Sequence, residues 1–204
     1  LGGSFRFKGT VKIDIQVHSS TNEVVLNSQE IKIHDAKLFS GHMKSTSSKM
    51  ITSGTRLTMG TAQEPLKSSS ITYDVKSQRA TLVFPTELPT SEYTLVINYA
   101  GTVNNTMSGF YRSKYKPAVT PAASVPEVDG HHYMFSTQFE SCDARQAFPC
   151  FDEPNLKTTF DVEIEIPEDQ TALSNMPEKD VKKSKRDGFK VVAFEKTPVM
   201  STYV

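Results

Sequence analysis

Between Phe135 and Pro154 the chain runs Phe135-Ser136-Thr137-Gln138-Phe139-Glu140-Ser141-Cys142-Asp143-Ala144-Arg145-Gln146-Ala147-Phe148-Pro149-Cys150-Phe151-Asp152-Glu153-Pro154. Extended backbone repeats every two residues, so Phe135, Thr137 and Phe139 share one strand face and Ser136, Gln138 and Glu140 the other. A carboxamide and a carboxylate at that spacing can converge on one ligand. Glu140 also precedes a short helical stretch near 143–147, whose dipole favours a carboxylate. The plainer reading is a polar strand face, and taken alone the two residues do not exclude it. Asp152 and Glu153 are adjacent and diverge, so they make a turn with Pro154 rather than a general acid/base pair.

Other constellations are weaker. His131, His132, Cys142 and Cys150 supply four potential zinc ligands, but adjacent histidines leave a strand on opposite sides and rarely serve one ion. None of the five histidines is followed by Glu, so the His-Glu-x-x-His metalloprotease signature is missing. No glycine-rich phosphate loop and no Gly-x-Ser-x-Gly elbow occurs. Cys142 and Cys150, eight apart, leave either one bridge or two reduced thiols, and the burial habit of free cysteine favours two buried thiols. The run Lys182-Lys183-Ser184-Lys185-Arg186, ending in Asp187-Gly188, reads as a solvated hairpin turn. Asn104-Asn105-Thr106 is a glycosylation sequon that matters only in a secreted chain.

The elements that would position these side chains are strands. Phe5, Phe7, Gly9, Val11, Ile13, Ile15 and Val17 alternate with polar residues over a long half-buried strand. Short strands follow at Val24–Leu26 and Glu30–Ile33. The Ser/Thr/Gly-rich stretch 44–70 places strands only loosely, around Ile51 and Leu57–Met59. Further strands are expected at Ile71–Val75, Arg79–Phe84, Tyr93–Tyr99, Thr158–Ile166, Phe189–Glu195 and Val199–Val204. Pro117, Pro121 and Pro126 mark 116–130 as a long surface loop within one domain. Asp143–Ala147, stopped by Pro149, is the one convincing helical turn. Strands at regular spacing with turn residues between them predict an all-β antiparallel sandwich.

The 204 residues suffice for a core without staples. Lys+Arg 23 against Asp+Glu 23 gives zero formal charge, which lacks the basic surplus of a nucleic-acid binder and disfavours an anionic membrane surface. Mean hydropathy is −0.39. The longest apolar runs, such as Val191–Phe194, span about four residues against the ~20 a membrane helix needs, so no membrane segment is expected. The chain opens on Leu1 and stops inside an expected strand, which reads as a piece of a longer protein.

Thr137-Gln138-Phe139-Glu140, followed by Asp143-Ala144-Arg145 and by Ala147 to Pro154, resembles the N-terminal domain of the zinc aminopeptidases of the puromycin-sensitive and aminopeptidase N type. Phe7-Lys8-Gly9-Thr10-Val11, Gly109-Phe110-Tyr111-Arg112-Ser113, Leu173-Ser174-Asn175-Met176-Pro177 and Thr197-Pro198-Val199-Met200-Ser201-Thr202-Tyr203 extend the resemblance over essentially the whole chain. The cytosolic fungal or puromycin-sensitive branch is the most similar, which implies a cytoplasmic protein.

The resemblance implies one saddle-like β-sandwich domain over 1–204, packed on a thermolysin-like catalytic domain of the same parent chain. It implies that Glu140 holds the free α-ammonium of a peptide substrate and that Gln138 lines the pocket for the first side chain. The related leukotriene-hydrolysing enzymes carry Gln at the position of Glu140, so Glu140 favours a plain aminopeptidase. The family's Gly-x-Met-Glu-Asn loop, His-Glu-x-x-His helix, third zinc ligand and transition-state tyrosine lie beyond Val204. This chain is therefore expected to hold no catalytic residue and no metal ligand, with zinc bound by a domain outside it, and to be inactive alone. Composition without the resemblance would suggest a non-catalytic β-sandwich interaction module.

Overall fold

The computed structural model describes residues 5–41, 64–116 and 130–204, and the expected strands near Ile51 and Leu57–Met59 and most of the 116–130 loop lie outside them. The chain divides into two compact units. The first takes in the described residues up to Thr102 together with Arg145–Cys150; the second takes in those of 103–144 and 151–204.

The first unit is built from β1 (Arg6–Gln16), β2 (Thr21–Asn27), β3 (Ile31–Ser40), β4 (Leu66–Lys67), β5 (Ser70–Asp74), β6 (Arg79–Leu88) and β7 (Glu92–Thr102). They form two antiparallel sheets, ordered β1-β7-β3-β4 and β2-β6-β5. The alternation seen in β1 is real: Phe7, Gly9, Val11, Ile13 and Ile15 are half-buried and the residues between them exposed. They pair in register with Gly101, Tyr99, Ile97, Leu95 and Tyr93 of β7. Leu95 and Ile97 are fully buried, as are Ala80, Leu82 and Phe84 of β6 and Leu26 of β2. The two sheets thus share an apolar interior, the expected sandwich.

Two cross-strand pairs set how closely β1 and β7 approach. Gly9 faces Tyr99 and Gly101 faces Phe7. A Cβ on Gly9 would land on Cζ and Oη of Tyr99, and one on Gly101 would land on the Phe7 ring. The two rings meet edge to face, 6.3 Å apart at 81°. Each aromatic covers the bare backbone of the opposite strand, which offsets the missing side chain of an in-strand glycine. Burial, reinforced by charge on Cys150, pushes the Tyr99 phenol up to about 12.

Several strand ends differ from the sequence expectation for local reasons. β3 continues to Ser40 because a bulge between Ile33 and Asp35 shifts the inward positions from Ile31 and Ile33 to Ala36 and Leu38. β6 runs past Pro85 to Leu88, and its register against β2 breaks between Thr21 and Glu23, where a ladder without Pro85's N–H is tolerated. The Asp74–Arg79 turn is clamped by Asp74, whose Oδ1 accepts from the N–H groups of Lys76 and Ser77 and whose Oδ2 accepts from the Ser77 hydroxyl. The Ser77 hydroxyl is the main cause holding the Asp74 carboxyl below its usual range.

The second unit contains a two-stranded ribbon, β8 (Gly109–Tyr115) with β9 (His132–Gln138), and an antiparallel sheet ordered β10-β12-β11. In that sheet β10 is Glu163–Pro167, β11 Glu178–Lys183 and β12 Phe189–Phe194. Its small core is Ala172, Val192 and Phe194, backed by Val162, Ile164, Ile166 and Met176. β11 is exposed throughout, a charged edge strand with no alternation to read. The basic run does form the β11–β12 turn, with the Arg186 guanidinium 3.6 Å over the Phe189 ring.

The expected strand Val199–Val204 does not form. Met200 makes a lone bridge to Thr158, while Ser201 donates to the Pro154 carbonyl at 2.6 Å and Thr202 to Asp152 Oδ1 at 2.5 Å. Side-chain hydrogen bonds replace a ladder there. The expectation of two buried thiols is also corrected: both cysteines are free, Cys150 is buried and Cys142 exposed.

Two outcomes follow. Gly9→Ala and Gly101→Ala should each destabilise the chain by about 1–3 kcal/mol in urea titrations, since the new Cβ would fall 2.4 Å and 2.5 Å from the facing ring, which must then shift. Unchanged midpoints would mean that the rings do not rest on the glycines. A colorimetric thiol reagent should titrate Cys142 in the native chain and Cys150 only after denaturation; equal native rates would contradict the burial of Cys150.

Candidate functional site

Gln138 is the last residue of β9 and pairs with Gly109, the first of β8. Pairing in register puts Tyr111 opposite Ser136, so Gln138, Ser136 and Tyr111 share one face of the ribbon. Gly109 has φ +67°, a conformation that favours glycine, and its missing side chain leaves the position across from Gln138 bare. The other face carries Phe110 and Phe135, whose rings lie 6.3 Å apart. Phe135 is half exposed on that face, and Gln138 is exposed on the opposite one.

Upstream, Val103 and Asn104 fix the start of the ribbon. Arg112 donates from its guanidinium to the Val103 carbonyl and from its backbone N–H to the Asn104 carbonyl. The Asn104 carboxamide is itself engaged in its loop. Nδ2 donates to the Ser108 carbonyl at 2.8 Å, and Oδ1 accepts from Thr106 N–H at 2.9 Å and from its hydroxyl at 2.8 Å. The sequon is therefore folded in on itself.

Glu140 does not lie on the strand. β9 ends at Gln138, and Phe139 opens a turn closed by a 2.9 Å bond from Asp143 N–H to the Phe139 carbonyl. Strand alternation thus places Gln138 but not Glu140, which the sequence reading had put on the same face. The Glu140–Ser141 peptide is cis. The helical stretch is one 3-10 turn, Ala144–Gln146, too short for a dipole argument about Glu140. Gln138 and Glu140 are both exposed, and no ion pair joins Glu140 to another described residue.

The other carboxylates near the motif are different. Asp152 is 5% exposed and accepts from the Thr202 hydroxyl, whereas Glu153 is exposed. They diverge as expected and make no catalytic pair. Within the first unit, the Arg145 guanidinium donates to Gln78 Oε1 at 3.0 Å and the Arg145 carbonyl accepts from Gln29 N–H at 3.0 Å. Cys150 exchanges both backbone bonds with Asn27, at 2.8 and 3.1 Å. Arg145–Cys150 is thus a clip on the β2 end, a role the sequence reading missed because its partners are more than 60 residues away. Among the described residues no three His, Cys, Asp or Glu side chains gather at metal-binding distance.

The profile of the Peptidase M1 N-terminal domain matches residues 3–204. The alanine/arginine aminopeptidase of Saccharomyces cerevisiae is 36% identical over 208 residues, covering 98% of this chain. Aminopeptidase M1-A of Oryza sativa subsp. japonica is 34% identical over 97% of the chain, and the puromycin-sensitive aminopeptidase of Caenorhabditis elegans 34% over 98%. The chain spans about a fifth of the length of these relatives, 18–20% in each. By a profile match over nearly every residue and by identity above 30% across it, the chain belongs to the Peptidase M1 N-terminal domain family of the M1 aminopeptidases.

Proposed function

We propose that residues 1–204 make one N-terminal β domain of a zinc aminopeptidase, and that this domain anchors the amino end of a peptide substrate to a catalytic domain elsewhere in the same parent chain. The observation that carries this is the Glu140 carboxylate, exposed in the turn that follows β9 and joined by ion pair to no cation among the described residues. In the assembled enzyme it holds the substrate α-ammonium, and Gln138 lines the pocket for the first side chain. Where protein and substrate exclude water, an amino terminus satisfies that charge. An internal peptide segment leaves it desolvated, at a cost of roughly 3–5 kcal/mol. That asymmetry makes an exopeptidase.

Among the described residues no three His, Cys, Asp or Glu side chains gather as a zinc site would need, which is compatible with a zinc held elsewhere. In the proposal it is held by residues outside this chain, and no step of the reaction is carried by this segment beyond gripping and orienting the amine. Cytoplasmic residence is part of the proposal: an exposed free thiol at Cys142 suits a reducing compartment. No helix among the described residues is long and apolar enough to cross a membrane.

A second reading has one observation in its favour. Gln138 and Glu140 are both exposed in the second unit, as a non-catalytic interaction module would have them.

Kinetics separate the two. In the full-length protein, Glu140→Ala should lower kcat/KM for free-amine aminoacyl substrates by roughly a hundredfold or more. Gln138→Ala should mainly change the ranking of first side chains. Unchanged constants in both variants would leave the interaction-module reading. The isolated 204-residue chain, supplied with zinc, should show no turnover of aminoacyl fluorogenic substrates; turnover would overturn the assignment of the metal chemistry to another domain.

A further inference from the structure

Among the described residues β11 pairs with β12 alone, at the end of the order β10-β12-β11. Ser184 N–H donates to the Phe189 carbonyl at 2.9 Å, continuing the register that sets Lys182 against Val191 and Lys183 against Lys190. Antiparallel bonding alternates from one residue to the next. Lys182 therefore turns its backbone groups toward β12, while Val181 and Lys183 turn theirs outward. No described residue takes up those outward N–H and C=O groups. An open edge of this kind is a template for one more strand.

The charge beside that edge is one-sided. Residues 182–190 hold Lys182, Lys183, Lys185, Arg186 and Lys190 against Asp187 alone, in a chain that balances 23 cations with 23 anions. Lys182 is taken by Asp180 at 2.8 Å, and Glu165 is taken by the Ser184 hydroxyl. Lys183, Lys185, Arg186 and Lys190 join no acid by ion pair among the described residues. Lys183 and Lys190 stand directly opposite each other as a pair without mutual hydrogen bonds, the closer kind, with Cα atoms about 4.5 Å apart. Like charges so placed are destabilising until an anion lies beside them. Arg186 is held ready, its guanidinium 3.6 Å over the Phe189 ring and its N–H bonded to Ser184 Oγ at 3.0 Å. Stacking leaves the edge of the guanidinium free to donate to a carboxylate.

We propose that the β11 edge and the basic turn after it dock an extended acidic segment of a partner protein, which adds as a fourth strand beside β11. Side chains of that segment opposite Val181 and Lys183 share the face of Lys183 and Lys190, so acids there relieve the lysine pair. Lysine on an edge discourages added strands in general; here it discourages all but an acidic one. A lipid surface or a nucleic acid has no backbone to pair with the open edge. A broad negative surface would also meet exposed Glu168, whose N–H bonds the Gly188 carbonyl of the turn, and exposed Asp169. The site uses no residue of the Gln138–Glu140 segment, so it stands or falls apart from the peptidase reading.

Hydrogen–deuterium exchange on the full-length protein tests this, because it locates docking as well as detecting it. The probe is an acetylated, amidated octapeptide of alternating threonine and glutamate, whose blocked amino end denies it the Glu140 site. It should slow exchange over 178–190, and the threonine–lysine counterpart should not. Glutamates opposite Lys183 turn their N–H groups toward β11, so N-methylation of every glutamate should abolish the protection and N-methylation of every threonine should spare it. Lys183→Glu combined with Arg186→Glu should raise the probe concentration needed by roughly tenfold or more. Val181→Pro should do the same through the edge, because it loses only an outward N–H. Either variant decides if the other fails to fold. Absence of protection, equal behaviour of the two methylated probes, or protection unchanged in a folded variant would overturn the proposal. Stronger protection by phosphatidylserine vesicles or single-stranded DNA would do so too. Slow exchange at Val181 and Lys183 before any probe is added would mean that the rest of the parent chain covers the edge, and would equally overturn it. Kinetics of the Glu140→Ala enzyme are unaffected by any of these results.

Discussion

β7 is hydrogen-bonded along its length to β1 on one side and to β3 on the other, and that double pairing is the constraint on which the first unit depends. A strand paired on both edges has no freedom of register, because a slip of one residue would turn Leu95, Ile97 and Tyr99 away from the interior. The glycine–aromatic pairs at Gly9 and Gly101 tighten the same lock. They let β1 approach β7 with two rings packed where side chains would otherwise collide.

The opposite face of that sheet shows how the chain handles polar groups near the interior. The Thr94 hydroxyl donates to Asp14 at 2.6 Å; Thr10 donates to Asn98 Oδ1 at 2.6 Å, and Asn98 Nδ2 in turn donates to Asp35 at 3.0 Å. With Asp74 in its turn and Asp152 on Thr202, five acceptor side chains in the described structure serve local architecture. A carboxylate satisfied in this way stabilises its surroundings and is unavailable to a ligand. Glu140 makes no ion pair with another described residue, and the proposal about peptide binding starts from that contrast.

The candidate site and the connections of the first unit ask different things of the backbone. Gln138 sits on a regular ladder, where pairing with Gly109 fixes its position, while Glu140 depends on the turn closed by Asp143. The β2–β3 and β5–β6 connections each hold a non-glycine residue in left-handed conformation, Glu30 at φ +57° and Gln78 at +55°. Such residues persist only where surroundings over-determine them. Here the Ser28 N–H to Gln78 carbonyl bond, at 2.9 Å, joins the two connections directly.

Alternation was legible in the sequence wherever one face of a strand is covered and the other wet. β1, β7 and β12 could therefore be read from residue types, and the long motif around Gln138 and Glu140 carried the family. What failed to show has common physical causes. The β3 bulge reverses the inward phase in mid-strand, so a strict two-residue period stops at Ile33. β11 has no covered face and leaves no pattern. Val199–Val204 has strand composition, yet its hydroxyls bond Pro154 and Asp152 from some fifty residues away. The division into two units, the exposure of Cys142 and the placement of Glu140 beyond its strand were decided by tertiary structure alone. Local periodicity records which side of a strand meets water; it does not record which distant group arrives to take a hydrogen bond.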